Sequence, residues 1–188
     1  MAARKEGGGK EAALRAASAL FYERGIPAVS VEQVAAEAGL TKRAVYYHFP
    51  TKADLVAAYL KAADEPAFSM LTGLTADVEP GLPTLRAAFD RLGPVLGAPT
   101  FRGCAFLRAA RETKGGAEAA TAHKERVREW FADQAKVAGL AEPDRIASAL
   151  LLVLDGALSQ ATYAPSERAA AASKEAANAV LSLARRTD

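Results

Sequence analysis

Within the short run from Lys42 to Phe49 stand two cations, Lys42 and Arg43, and two adjacent phenols, Tyr46 and Tyr47. An arginine can bond guanine O6 and N7 as a fork, and a flat ring can lie against a thymine methyl. Lysine ammoniums and tyrosine hydroxyls can also bond phosphates, which sets register without reading bases. At roughly 100° per residue, Val45 and Phe49 share one helix face, and the two cations and two tyrosines spread over an arc of about 140° on the remainder. A surface helix with incidental charges is the competing description. It leaves unexplained two exposed tyrosines side by side on so short a helix, which are costly without a partner. Contact with the major groove of DNA is the chemistry these residues can do together.

The flanking residues supply what such a helix needs to be held. Ser30 is a good N-cap, and Gln33 can reach back to complete a capping box. Val31, Val34 and Ala35 provide an apolar face. Gly39 ends the first helix, because glycine accepts the left-handed conformation of a C′ position. Leu40 sits in the turn and Thr41 caps the second helix. Two short helices joined by a tight Gly-containing turn form a helix-turn-helix unit. Pro50 disfavours helical geometry at Phe49. Thr51 then opens a further helix with Asp54 at its N3 position, and this helix start, helped by Lys52, is a natural phosphate clamp.

The run from Ala13 to Leu60, ALRAASALFYERGIPAVSVEQVAAEAGLTKRAVYYHFPTKADLVAAYL, resembles the N-terminal domain of the TetR family of transcriptional repressors. The resemblance covers about a quarter of the chain and rests on linked features. They are Ala17, Leu20, Phe21 and Gly25; Ala35, Gly39 and Leu40; Tyr46, His48 and Phe49; and the start of the next helix from Lys52 to Leu55. It implies an all-α fold, with an N-terminal three-helix DNA-binding domain over 1–50, a connecting helix over 51–64, and a C-terminal helical ligand-binding and dimerisation domain over 65–188. It also implies a homodimer that binds a palindromic double-stranded DNA operator and releases it when a small, largely apolar molecule enters the C-terminal domain. By the same resemblance Thr41, Lys42, Arg43, Tyr46, Tyr47, His48 and Lys52 fall where the family meets DNA, and Ser30 is counted with them. His48, beside Phe49, either braces the helix or touches a phosphate.

Charge follows the same division. Residues 1–61 hold nine Lys/Arg against six Asp/Glu, whereas 62–188 hold fifteen against sixteen. The positive excess therefore belongs to the candidate DNA-binding end, and it is small enough that affinity needs two copies of the domain. Arg4, Lys5 and Lys10 flank Gly7-Gly8-Gly9 and read either as a disordered tail or as an arm along the phosphates. The start lacks the apolar stretch of a secretory signal, and no segment approaches the roughly 18 apolar residues of a membrane span. The single cysteine, Cys104, suits a reducing cytoplasm. His48 and His123 lie in different domains, and no metal spacing, phosphate loop or nucleophile elbow occurs. No catalytic residue, metal site or cofactor is expected. The rivals are a helical enzyme with a DNA-binding appendage and a helix-turn-helix repressor that senses nothing.

The rest of the chain reads as helices: 14–23, 52–64, 67–74, 83–96, 103–113, 117–138, Pro143–Tyr163 and Ser166–Arg185. The last two suggest a dimer interface. One is nearly apolar on every side, and the other is dense in small residues, Ala169 to Ala172, Ala176, Ala177 and Ala179, that let backbones approach. Phe68, Phe89, Phe106 and Trp130 in the middle third either line an effector cavity or fill a core. Cys104 is either a buried small hydrophobe or a thiol sensor. Asp155, isolated in an apolar helix, needs a partner, whether a ligand or a contact across the dimer.

Overall fold

The computed structural model describes residues 6–184, which form ten helices and no β-strand. In chain order they are α1 (Glu6–Arg24), α2 (Val31–Glu37), α3 (Lys42–His48), α4 (Lys52–Gly73), α5 (Leu82–Asp90), α6 (Gly93–Leu96), α7 (Ala105–Glu112), α8 (Lys114–Val137), α9 (Pro143–Gln160) and α10 (Ser166–Leu183). They fall into two units, one of residues 1–65 with 105–120, the other of 66–104 with 121–188.

In the first unit α1, α2 and α3 pack on one another. Their core holds Ala17, Leu20, Phe21, Val34, Val45 and Phe49, closed by Leu55, Tyr59 and Leu60 of α4. Phe21 and Tyr59 meet with ring centroids 5.6 Å apart at 60°, a favourable tilted arrangement. The sequence division puts 105–120 in the C-terminal domain, but the structure gathers this segment into the first unit. The reason is chemical. Arg108 donates to the carbonyl of Tyr22 at 2.6 Å, and Glu112 accepts the N–H of Ile26 at 2.8 Å.

The second unit is organised around Leu85, Phe89, Leu92, Phe131, Leu150 and Leu154, all buried. Here α10 packs along α9 and also against α5 and α6. Phe89 and Phe131 stack nearly parallel with centroids 5.8 Å apart.

Four local expectations differ from the structure. Helix α4 runs through Pro66 instead of stopping near Asp64. Pro66 cannot bond the carbonyl of Ala62, but both residues face solvent, where water can satisfy that oxygen. The expected helix over 83–96 is broken after Asp90, because Pro94 lacks the N–H that would continue it. The glycine run is helical, since α1 begins at Glu6; Lys10 lies in it, while Arg4 and Lys5 lie outside the described residues. Asp155 finds its partner within its own chain, accepting from Lys124 Nζ at 2.5 Å, so it calls for neither a ligand nor a second subunit.

The small residues of the last two helices also divide in two. Ala157, Ala169 and Ala177 are buried in the unit's own core, whereas Ala171, Ala172, Ala176 and Ala179 face outward. The outward residues of α9 include Ser148, Leu152 and Gly156, and Leu152 is 74% exposed.

Candidate nucleic-acid interface

The joint between α2 and α3 is built by short-range bonds. Ser30 Oγ accepts the N–H of Gln33 at 3.2 Å, and Gln33 Oε1 accepts the N–H of Ser30 at 2.7 Å, which completes the capping box. At the other end of α2, the N–H of Leu40 reaches the carbonyl of Ala35 and the N–H of Gly39 reaches that of Ala36. This is the Schellman pattern, and it needs the positive φ of +64° that Gly39 adopts. Thr41 Oγ1 then accepts the N–H of Ala44 at 3.1 Å and starts α3. Because these bonds fix where α2 ends and α3 begins, the phase of α3 is set before any ligand arrives.

That phase divides the helix as its periodicity requires. Val45 and Phe49 are buried, while Lys42, Arg43, Tyr46 and Tyr47 are exposed. Tyr47 is 83% exposed and Tyr46 is 38% exposed. Both rings thus stand on the exposed side of α3 together with the Lys42 ammonium and the Arg43 guanidinium. No ion pair among the described residues engages Arg43, which leaves its fork available to a base edge or a phosphate.

His48 is half-buried at the end of α3. Its ring meets Tyr47 edge-on at 5.2 Å, and Gly9 of α1 lies so close that a Cβ there would sit 3.0 Å from His48 Nε2. Gly9 therefore has a packing role, letting the first turns of α1 pass beside the end of α3. Lys10, on the same stretch, places Nζ 5.8 Å from the Phe49 ring centroid.

The start of α4 is capped as its sequence requires. Thr51 Oγ1 accepts the N–H of Asp54 at 3.1 Å, and Asp54 Oδ2 accepts the N–H of Thr51 at 2.9 Å. The first-turn N–H groups of Lys52 and Ala53 have no partner inside the helix, and they remain suited to a phosphate. The Lys52 ammonium is differently placed from its expected role. It donates to the carbonyl of Ile26 at 2.6 Å and so ties α4 to the turn after α1.

Sequence reasoning missed Glu32. Its carboxylate forms an ion pair with Lys42, joining the first turn of α2 to the first turn of α3. Lys42 beside it, the nearby helix-start N–H and the Ser30 hydroxyl hold the Glu32 carboxyl below its usual range, and the pairing pushes the Lys42 ammonium up. The signal in the sequence was a lone acid one residue after the N-cap, which also reads as ordinary helix-dipole pairing.

The expected effector residues separate. Phe68, Phe89 and Trp130 belong to the second unit and Phe106 to the first, where it is fully buried. Phe89 is core. Phe68 and Trp130 are only partly buried, and the Arg126 guanidinium lies 3.9 Å from the Phe68 ring centroid. Cys104 is half-buried against the same core. Among the described residues no group of His, Cys, Asp and Glu could hold a metal ion, and no helix is long and apolar enough to cross a membrane.

Residues 13–59 match the family described as bacterial regulatory proteins, tetR family. The HTH-type transcriptional regulator TtgR of Pseudomonas putida is 40% identical over 52 residues, which are 28% of this chain and 25% of that one. The chain thus matches about a quarter of the length of this relative. The solved structure of a TetR-family transcriptional regulator from Streptomyces coelicolor superimposes with a TM-score of 0.84 at 26% identity, covering 94% of this chain and 95% of that one. The SmeT–triclosan complex superimposes with a TM-score of 0.71 at 25% identity, over 96% of this chain and 92% of that one.

Proposed function

We propose, from the premise that this chain belongs to the TetR family of bacterial regulatory proteins, that it is a transcriptional repressor whose paired α3 helices read a palindromic operator. The observation that carries the reading is the outward row of Lys42, Arg43, Tyr46 and Tyr47 on a helix whose phase is locked by caps at both sides of the turn. A two-turn helix reads only a few base pairs, so specificity requires two copies at a set spacing on a two-fold symmetric site.

The pairing surface is the outward stripe of α9 and α10. Leu152 and Leu183, 74% and 84% exposed, are large apolar residues that water penalises in a lone chain. Outward Gly156, Ala172, Ala176 and Ala179 offer the low relief that lets helices of a second copy approach closely. A symmetric contact of this kind gives a homodimer with two α3 helices.

The effector binds in the second unit against the partly buried Phe68 and Trp130, and it is a small, largely apolar molecule. Support comes from the partial burial of these two aromatic residues against the core and from SmeT, a similar structure described as a complex with triclosan. Release follows only if the effector favours the state that cannot hold DNA. The place of action is the cytoplasm, where the operator is.

Selection from a random duplex pool tests the whole reading. The native chain should enrich one inverted-repeat sequence, and titration of candidate apolar compounds should weaken that complex while quenching or shifting Trp130 fluorescence. Retention of the pool without enrichment would remove sequence-specific DNA binding, and an enriched complex indifferent to every compound would remove the effector.

A further inference from the structure

Glu32 is an acid placed where a DNA-binding surface has no simple use for one. It stands at the head of α2, within reach of the Lys42 ammonium at the head of α3, and the pair is formed with both side chains about half exposed, 57% and 53%. Lys42 is also 5.7 Å from the Tyr46 ring centroid, so its ammonium sits between a carboxylate and an aromatic face. Arg43, the next residue, has no such counter-ion among the described residues. The two neighbouring cations are thus in different states in the unbound protein, one occupied and one available.

We propose that Glu32 is a specificity-determining residue of the DNA-binding surface, which it achieves by keeping the Lys42 ammonium occupied unless a phosphate displaces it. The inference rests on the reading of this chain as a DNA-binding regulator. Binding to arbitrary DNA comes almost wholly from cations that meet phosphates and release counter-ions. A lysine held by an internal carboxylate contributes less to that term, and the carboxylate itself is repelled by the phosphate backbone. At the operator, base contacts from the row of α3 add affinity that a random duplex does not supply, so a smaller share of the total rests on the phosphate contact of Lys42. Glu32 therefore weakens the random complex more than the operator complex and widens the ratio between them, which is the quantity that matters among many competing sites. The exposed pair opens readily, so the device needs no change of fold.

The test compares the native chain with E32Q on two duplexes, the one selected by the native chain and a random-sequence duplex of equal length. E32Q should bind the random duplex about 2- to 5-fold more tightly at low salt, the size of an exposed ion-pair effect. Its salt dependence on that duplex should steepen by about one unit. The selected duplex should gain less, so discrimination falls. In a K42Q background the same E32Q change should tighten the random complex clearly less, because only the direct repulsion of the carboxylate by phosphate remains to be relieved. Melting curves within a few degrees of the native chain establish that E32Q is folded. Unchanged discrimination in E32Q, or equal tightening with K42Q present, overturns the role of Glu32. A native chain that selects no duplex at all fails earlier, and overturns the functional reading together with it.

Discussion

The Glu112 carboxylate accepts the backbone N–H of Ile26 at 2.8 Å, across 86 residues of chain. The carbonyl of the same residue is taken by Lys52 Nζ at 2.6 Å, so both polar groups of Ile26 are satisfied by side chains from other helices. Gly25 just before it has φ +88°, and a Cβ there would lie 3.1 Å from Glu112 Oε1. The turn after α1 is thus shaped to receive α7. Ile26 is buried, and an N–H left there without a partner costs about 1–3 kcal/mol. Glu112→Ala should destabilise the first unit by that amount, and Glu112→Gln, which keeps an acceptor oxygen, by clearly less. Urea unfolding followed by circular dichroism measures both, and equal losses would show that the bond to Ile26 is not what matters.

Arg43→Ala should weaken the selected duplex by about 1–3 kcal/mol if its fork meets a guanine, with preference relaxed at one position in each half-site. Tyr47, 83% exposed, should affect binding without affecting folding. Tyr47→Ala is expected to leave the melting temperature unchanged while lowering affinity. Quantitative gel shifts on single-base variants of the selected duplex distinguish lost reading from uniform weakening.

Gly8 and Gly9 make a matched pair. Either replaced by alanine gains roughly 0.5–1 kcal/mol of helix preference. A Cβ on Gly8 meets nothing within 4 Å, whereas one on Gly9 would sit 3.0 Å from His48 Nε2. Gly8→Ala should therefore stabilise the chain and bind DNA normally. Gly9→Ala should lose that gain and lower DNA affinity, because His48 must shift at the end of α3. Thermal melts and gel shifts run side by side check the contrast, and identical behaviour would deny His48 its bracing role.

Leu152→Glu or Ala176→Glu should give a monomer that melts close to the native temperature, since both residues face outward. Operator affinity should fall steeply in these variants with every DNA-contacting side chain intact, because the two half-sites are no longer engaged together. Ala157→Glu should instead unfold the second unit, because Ala157 belongs to its core and a charge there is unpaired. Sedimentation velocity reads the first outcome and circular dichroism the second. A native chain that sediments as a monomer would remove the interface.

What the sequence determined by itself lies within a few residues of chain. The capping box of Ser30 and Gln33, the Gly39 turn, the Thr41 cap, the Thr51 and Asp54 pair and the inward Val45 and Phe49 all depend on bonds or periodicity inside one helix or one turn. Their spacing is their geometry, which is why the outward row of α3 was legible without coordinates. Tertiary structure decided the partners of the charged groups: Lys52 with Ile26, Glu112 with Ile26, Glu32 with Lys42, Lys124 with Asp155. It also decided which alanines of α9 and α10 face inward and that 105–120 joins the first unit. Helical periodicity says which residues share a face, but the neighbour that face meets depends on how distant helices are rotated and slid against each other. That choice is made by packing summed over many buried side chains, and no short stretch of sequence contains it.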